Sequence, residues 1–408
     1  MYREWPGRRM PGQAPVRSVP EGLRERDPAV LAFLETTQTK YFAQMRDYLR
    51  ALGVRVPLAG SNFWESMALD LRSNLTLDYL DRHAYWDHPQ GGYGPRARFD
   101  NQPMVKSREW SLVSGLAAGH AVGKPVVITE WNTCWINDYI AEGPLTMAAY
   151  GAYQGWNGLL QFDYGSGGDW PDHMAGNFEI AEQPHVLATW PAAARLFRQV
   201  RPGKLLELRV GLGAVASGES VRVPAEAPLQ RRVAFSLPLE AQPQTAFPAA
   251  ADPAASDTGE LHWNRAAGLL TVKGSQSAVR LGFASGPVQV GAVTFDVTPE
   301  FAVAAVSALD GKPIQHSGHL LITATARAEN SGMVFAPGRR SALDPGRAPI
   351  VMQPVRGWVR LRTPGNVKAW ALDAAGKRAG AAAVTRTGGT ANVALTSEGF
   401  WWEVEVGR

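Results

Sequence analysis

Polar and aromatic side chains follow four short apolar runs of this chain. The four groups are Ser61-Asn62, His83-Ala84-Tyr85-Trp86-Asp87-His88-Pro89, Glu130-Trp131-Asn132 and Gln161-Phe162-Asp163-Tyr164. The run before Glu130, residues 125–129, is too short for a helix and is typical of a buried parallel strand. In a (β/α) barrel, catalytic groups stand at the carboxyl ends of the strands. We therefore expect the four groups to lie along one rim of a sheet.

Glu130 is the carboxylate best placed for chemistry at that rim. A charged side chain that closes five apolar residues is costly unless it is paired or used. Cleavage of a glycosidic bond with retention needs two carboxyl groups roughly 5 Å apart, one a nucleophile and the other an acid/base. His83 and Tyr85 could hold the Glu130 carboxylate in its ionised form through hydrogen bonds. The alternative is that Glu130 is an ordinary surface residue after a strand.

The second carboxyl group is predicted from position alone. Glu65 comes just after Ser61-Asn62 and is the nearest carboxyl on the same rim, so we predict it as the acid/base. The alternative for Glu65 is a solvated loop residue. Three aspartates are weaker candidates for the same role: Asp87, Asp163 and Asp169.

The remaining rim residues predict contacts with a sugar, because aromatic rings can stack on pyranose faces while polar groups bind hydroxyls. The predicted substrate-binding residues are Asn62, His83, Tyr85, Trp86, Trp131, Trp156 and Asp163. For the aromatic members of this set, the alternative is that the rings only pack the protein interior.

Metal and cofactor chemistry is not expected. His83 and His88, with Asp87 between them, lie in a predicted loop that supplies no third ligand. Cys134 is the single cysteine, which excludes an internal disulfide and a cysteine-only metal cluster.

Composition excludes several partners. The net charge is +4, from 41 Lys and Arg against 37 Asp and Glu, and no basic run is long enough to follow phosphates. We therefore expect no nucleic acid. No stretch approaches the ~18 apolar residues of a membrane span, and residues 1–20 lack the apolar core of a signal peptide. These features predict no particular cellular compartment, and both a cytoplasmic protein and one secreted from a longer precursor are consistent with them.

The order of elements predicts α/β followed by all-β structure. Helices are predicted at 28–52, 108–122, 145–153 and 186–200, and strands at 54–58, 77–85, 125–129 and 158–162. After Pro202 the chain consists of short strands between turns, which is typical of a β-sandwich. The predicted domains are a catalytic domain at 1–202, a β-sandwich at 203–335 and a small β domain at 336–408.

Two motifs resemble the clan A glycoside hydrolases, the clan of the family 5 cellulases. The segment Lys124-Pro-Val-Val-Ile-Thr-Glu130-Trp-Asn is similar to their strand seven, and His83-x-Tyr85 is similar to their strand six. Trp156 or Gln161-Phe162 lies where the clan has an aromatic residue of strand eight. The resemblance covers about residues 28–200. It implies a retaining β-glycosidase with Glu130 as nucleophile, acting on an oligo- or polysaccharide, with β-1,4-glucans such as cellulose favoured.

The chain departs from the clan before residue 65, where the Asn-Glu pair that carries the acid/base is absent. About 170 residues are available, against ~250 for a whole barrel. We therefore predict an incomplete TIM-type barrel of about four β/α units, and a homo-oligomer that covers its open side. A second interpretation is a carbohydrate-binding or structural remnant without turnover. A third is that the β-sandwich attaches to cell surfaces and the α/β part supports it.

Overall fold

A computed structural model describes residues 28–62, 67–165, 172–211, 223–240, 246–396 and 399–407. Seven α-helices lie within these residues: α1 Pro28–Ala51, α2 Met67–Asn74, α3 Leu112–Ala117, α4 Gly143–Gln154, α5 Pro184–Leu187, α6 Trp190–Gln199 and α7 Ala227–Gln230. The predicted helices at 28–52 and 145–153 are confirmed by α1 and α4. The helix predicted at 108–122 is shorter, because Ser111 and Ser114 form a capping box that starts α3 at Leu112. No helix in the described ranges is long and apolar enough to cross a membrane.

The described strands fall into three groups. The first group forms a parallel sheet: β1 Leu80–Trp86, β2 Val126–Thr133 and β3 Gly158–Gln161. A parallel pair follows: β4 Leu205–Gly211 and β5 Arg232–Glu240. The antiparallel strands are β6 Ala254–Ala255, β7 Leu261–Asn264, β8 Leu269–Lys273, β9 Ser277–Phe283, β10 Val288–Val290, β11 Val293–Thr298, β12 Phe301–Ala308, β13 His319–Thr325, β14 Ala328–Ser331, β15 Val334–Phe335, β16 Ala342–Asp344, β17 Arg347–Met352, β18 Arg356–Arg362, β19 Asn366–Leu372, β20 Arg378–Ala382, β21 Val384–Thr387, β22 Thr390–Leu395 and β23 Trp401–Gly407.

The parallel sheet has the order β1-β2-β3, with α3 against β1 and α4 against β3. Within the described part of the chain, this parallel sheet has three strands, whereas the sequence predicts four. No closed barrel is seen there. The predicted strand at 54–58 is wrong. Arg50 donates to the carbonyl oxygens of Val54 and Val56 at 3.0 and 2.9 Å, and Pro57 has no N–H to give to a strand ladder. Residues 58–62 still lie beside β1, where Asp78 N donates to Leu58 O at 2.9 Å.

The antiparallel part consists of two packed sheets. A nine-stranded sheet has the order β20-β19-β23-β13-β12-β9-β8-β7-β6, and a five-stranded sheet has the order β10-β11-β18-β22-β21. Their shared core includes Phe295, Val359, Ile322 and Trp402. All eight residues of β12 are buried, because one face of the nine-stranded sheet meets the five-stranded sheet and the other meets the α/β part. The molecule is therefore mixed α/β with a large antiparallel region.

Residues on either side of both predicted domain boundaries share sheets or a core. The boundary at 336 falls inside the sandwich, because β18 and β22 pair into the sheet of β11, and β19 and β23 pair into the sheet of β13. The boundary at 202 falls inside a continuous core that runs from the α/β part to the nine-stranded sheet. Phe235 of β5 also bonds to the segment before β2, donating to His120 O at 2.7 Å and accepting from Val122 N at 2.8 Å. Hydrophobic patterning marks strands, but it carries no information on which distant strands pair.

An excursion of the sandwich, β14 to β17, reaches the loops that follow the parallel strands. Asn330 holds Met174 through two bonds of 2.7 and 2.8 Å, and Phe99 N donates to Arg340 O at 2.7 Å. Arg339 forms an ion pair with Asp138 at 2.8 Å. The antiparallel region therefore supports the rim at which the candidate site lies.

The self-association expected from the sequence stays a prediction, and the outer face of α1 offers one surface for it. Five large apolar side chains in or just after α1 are 52–66% exposed: Phe33, Leu34, Tyr41, Tyr48 and Leu52. Exposed apolar patches of this kind are typical of protein interfaces. We expect a second copy of the chain to cover this face, so that light scattering gives twice the mass of one chain. The double variant Tyr41→Glu/Tyr48→Glu should then be a monomer, whereas Thr36→Glu, at an exposed polar position of α1, should stay dimeric. A wild-type protein that is monomeric at tens of micromolar contradicts this prediction.

Candidate active site

A β-bulge in β2 brings Glu130 towards β1. Asp81 of β1 pairs with Val127, yet His83, two residues later, pairs with Glu130, so β2 has one extra residue between these two pairs. The register against β3 shifts over the same residues. As a result the consecutive side chains of Thr129 and Glu130 are both partly exposed, where alternation would bury one of them. Bulges of this type redirect side chains near functional sites.

The Glu130 carboxylate is held by two residues of β1. The hydroxyl of Tyr85 donates to Glu130 Oε2, and the Nδ1 of His83 lies 3.2 Å from the same oxygen. Burial, together with the hydrogen bond to Glu130, raises the pKa of Tyr85 well above its ordinary value, so the phenol keeps the proton that it donates. The Glu130 side chain is 31% exposed. The structure thus brings together Glu130, His83 and Tyr85, as the sequence predicts, with the carboxylate open to solvent.

Three further residues fix the His83 ring. Its Nε2 lies 2.8 Å from Thr129 Oγ1 and 3.2 Å from Asp81 Oδ2. Asp81 in turn accepts from the N–H of Thr129 at 3.2 Å and from its hydroxyl at 2.7 Å. Asn62 Nδ2 lies 2.9 Å from His83 Nδ1, so the predicted residue Asn62 does join the site. Asp81 and Thr129 were missed by sequence reasoning, although strand alternation places Asp81 on the same face of β1 as His83.

A buried ion pair positions the loop that carries Asn62. Arg82 and Asp70 are both buried and lie 3.1 Å apart. Asp70 also accepts from the hydroxyl of Ser61, and Arg82 donates to the Ser61 carbonyl at 3.1 Å. Asn74 accepts from Ser61 N at 3.1 Å. This network ties residues 61–62 to both α2 and β1, and so holds Asn62 against His83.

An aromatic cluster surrounds Tyr85. The ring centroids of Phe178, His88 and Phe162 lie 5.2, 5.5 and 6.2 Å from that of Tyr85. Tyr93 joins the cluster through His88 and Phe178, with its ring centroid 6.0 Å from each of theirs. The rings meet at steep angles of 56–86°. Tyr93 is 74% exposed, and Phe162 is 39% exposed. These rings form a partly exposed aromatic surface next to Tyr85.

Sequence reasoning did not identify Tyr93 and Phe178. A weak signal exists for Tyr93, which stands in the loop Gly91-Gly92-Tyr93-Gly94, where an aromatic side chain has no core to enter. Phe178 has no comparable signal. Its place depends on Asn177, which donates to Trp135 O at 2.8 Å and accepts from Gly94 N at 2.6 Å, joining three loops that are far apart in the chain.

Two predicted sugar-stacking tryptophans are wrong. Trp131 is 1% exposed and Trp156 is 4% exposed, and both lie in the core between the parallel sheet and the helices that cover it. Neither can offer a ring face to a sugar. Trp131 points away from Glu130, because adjacent residues of a strand face opposite sides of the sheet. Trp86 remains at the rim, where its ring stacks on Trp110 at 5.8 Å and its N–H donates to Gln102 O at 2.8 Å.

The other predicted carboxyl groups divide into three cases. Glu65 and Asp169 lie outside the described residues. Asp87 organises a loop by accepting from Asp100 N at 2.7 Å, Asn101 N at 2.8 Å and Asn137 Nδ2 at 2.8 Å. Asp163 follows Phe162 of the aromatic cluster, and its Oδ1 is buried without a hydrogen-bond partner among the described residues. Burial, reinforced by the nearby Glu179, raises the pKa of Asp163.

Comparison with known proteins gives little further information. No known protein family matches the chain. No curated protein matches it either. Among solved structures, the chain is similar to AbfB, a family 51 α-L-arabinofuranosidase from Bifidobacterium longum, with 11% identity and a TM-score of 0.21. The aligned region covers 83% of this chain and 55% of the arabinofuranosidase chain. A likeness this distant carries no argument about fold or chemistry.

Proposed function

We propose that this protein is a glycoside hydrolase that cleaves β-glycosidic bonds with retention and uses Glu130 as its nucleophile. One observation carries the proposal: Glu130 is a partly exposed residue of the parallel strand β2, its carboxylate accepts from the hydroxyl of Tyr85, and His83 Nδ1 lies 3.2 Å from the same oxygen. A nucleophilic carboxylate must be fixed in direction, and the hydrogen bond from the Tyr85 phenol contributes to this.

Glu130 would attack the anomeric carbon while an acid protonates the leaving oxygen. Tyr85 would keep the carboxylate oriented, and Asp81 and Thr129 would act as positioning residues by fixing the His83 ring. The acid/base role of Glu65 stays a prediction from sequence. Asn62 and Asp163 are proposed to bind sugar hydroxyls. Tyr93 and Phe178 take over the stacking role that Trp131 and Trp156 cannot fill.

The substrate class is proposed from the shape of the rim and from the resemblance to clan A. The exposed faces of Tyr93 and Phe162 suit the apolar face of a pyranose, and β-1,4-linked glucans present such faces along the chain. Xylan and mannan are β-1,4-linked as well, and it is the resemblance to the family 5 cellulases that leads us to favour a β-1,4-glucan.

The experiment is hydrolysis of p-nitrophenyl β-cellobioside, with the first anomer released identified by ¹H NMR. We expect p-nitrophenol release and a β-anomer that later mutarotates. An α-anomer as first product would mean inversion and would exclude Glu130 as a covalent nucleophile. p-Nitrophenyl α-arabinofuranoside and β-xyloside serve as comparison substrates.

A second candidate is a carbohydrate-binding protein without turnover. It is favoured by the aromatic cluster, which would bind a sugar whether or not a second carboxyl group stands opposite Glu130. Both candidates predict retardation of the protein in native gels that contain a soluble β-glucan. Binding without release of p-nitrophenol or reducing ends would favour the second candidate.

A further inference from the structure

The outward face of the five-stranded sheet has an unusual composition. The inward residues of β18 and β22, such as Val359, Leu361 and Val393, are buried in the sandwich core. Strand alternation places Trp358, Arg360 and Asn392 on the opposite side, towards solvent. Trp358 is only partly buried, so part of its indole surface faces solvent on this side of the sheet and is available to a ligand.

Trp358 lines an open cavity of about 420 Å³ on this face. The other residues that line the cavity are Arg360, Thr385, Thr387, Thr390 and Asn392. The cross-strand neighbours of Trp358 are Ala394 in β22 and Asp296 in β11. The cavity is within the size range of small-molecule sites. It therefore combines one aromatic wall with a floor of polar side chains.

The polar groups of the cavity form a regular row. Arg360, Asn392 and Thr385 are cross-strand neighbours on β18, β22 and β21. Thr390 and Thr387 form the next pair along the same two strands. Asn392 Nδ2 lies 3.3 Å from Thr385 Oγ1, a contact that orients the amide across the row. Hydroxyl and amide groups can each donate and accept hydrogen bonds.

The cavity is electrically balanced. Among the described residues that line the cavity, Arg360 alone is charged, and it forms an ion pair with Asp296 on the neighbouring strand β11. Arg356 and Arg362 lie on the same face of β18 but do not line the cavity. The paired charge favours a neutral ligand, and the hydroxyl and amide groups favour one rich in hydroxyls. The indole face favours a ligand that is apolar on one side.

We propose that this face is a second glycan-binding site, in which Trp358 stacks on one pyranose ring of a neutral polysaccharide and the threonine and asparagine row binds its hydroxyls. The nine-stranded sheet separates this site from the parallel sheet that carries Glu130. The site therefore stands apart from the chemistry at Glu130, and it does not depend on the proposed hydrolase function. It would hold the protein on a polymer whether or not the polymer is cleaved.

The experiment is titration calorimetry with cellohexaose, xylohexaose and an oligogalacturonate, in the Glu130→Gln background so that no ligand is consumed. We expect one of the two neutral hexasaccharides to bind, and Trp358→Ala to weaken that binding at least tenfold, as for an aromatic residue at the centre of an interface. Trp358→Phe should keep most of the affinity. Val122→Ala, a change at an exposed apolar residue ahead of β2, is the control and should bind as the parent does.

Three results would overturn the proposal. In the first, neither neutral hexasaccharide binds. In the second, one of them binds but Trp358→Ala leaves the affinity unchanged. In the third, only the oligogalacturonate binds. Residual binding at the rim of the parallel sheet is recognised by its loss in Tyr85→Ala, a change that should not affect the Trp358 site. Unfolding curves followed by circular dichroism show whether Trp358→Ala keeps its fold, and Trp358→Phe tests the site if it does not.

Discussion

Replacing Glu130 with glutamine is expected to lower kcat on p-nitrophenyl β-cellobioside by roughly 10⁴-fold or more, because an amide cannot form the glycosyl ester. The loss should fall on kcat and on kcat/KM alike, since the group acts on the reacting carbon. The fold should persist, because the carboxylate is partly exposed and glutamine still offers an oxygen to the hydroxyl of Tyr85.

Glu109→Gln makes the same chemical change at an exposed position and is the matched control for kcat. Circular dichroism should give the same spectrum for both variants and the wild type. If Glu130→Gln keeps more than a tenth of the wild-type kcat, the carboxylate is not the nucleophile and the proposed function fails.

The largest effect on stability is expected for Asp70→Asn. This change leaves the Arg82 guanidinium buried without its counter-charge, and breaking such a pair on one side costs about 3–5 kcal/mol. The same substitution weakens the support of Ser61, so Asn62 should lose its place against His83. Denaturant unfolding followed by tryptophan fluorescence measures the free-energy change, and the p-nitrophenol assay measures the effect on the site.

Two variants show whether the charge pair is the cause. Asp47→Asn removes one partner of an exposed ion pair with Arg46 and should cost less than about 1 kcal/mol. The double variant Asp70→Asn/Arg82→Met removes both buried charges and should recover much of the stability lost by Asp70→Asn alone. Equal losses for Asp70→Asn and Asp47→Asn, or no recovery in the double variant, would contradict the account.

The pairing of Glu130 with His83 and Tyr85 could be predicted from sequence because it depends on local patterns. A short apolar run marks a buried parallel strand, and pairing of parallel neighbours brings the polar residues in their second halves together, although β2 continues to Thr133 instead of ending before Glu130. The assignment of Trp131 failed for a reason that is also local. The bulge places Thr129 and Glu130 on the solvent side together, and Trp131 then turns into the core.

The rest of the site depends on contacts between distant segments. Phe178 reaches Tyr85 only because Asn177 joins the loops at Gly94 and Trp135. The support from Asn330 and Arg339 comes from an excursion of the sandwich that begins more than a hundred residues later in the chain. No periodicity in the sequence encodes these contacts. For the same reason, the sequence does not show that strands from both sides of residue 336 pair within the same two sheets.

The most direct test of the central claim is covalent trapping with 2,4-dinitrophenyl 2-deoxy-2-fluoro-β-cellobioside. The fluorine slows hydrolysis of the glycosyl ester, so the intermediate of a retaining enzyme accumulates. Mass spectrometry of the intact protein should show one added fluorocellobiosyl group, and peptide sequencing should place it on Glu130. An unlabelled protein that nonetheless releases sugar, or a label on another carboxylate, would contradict the assignment.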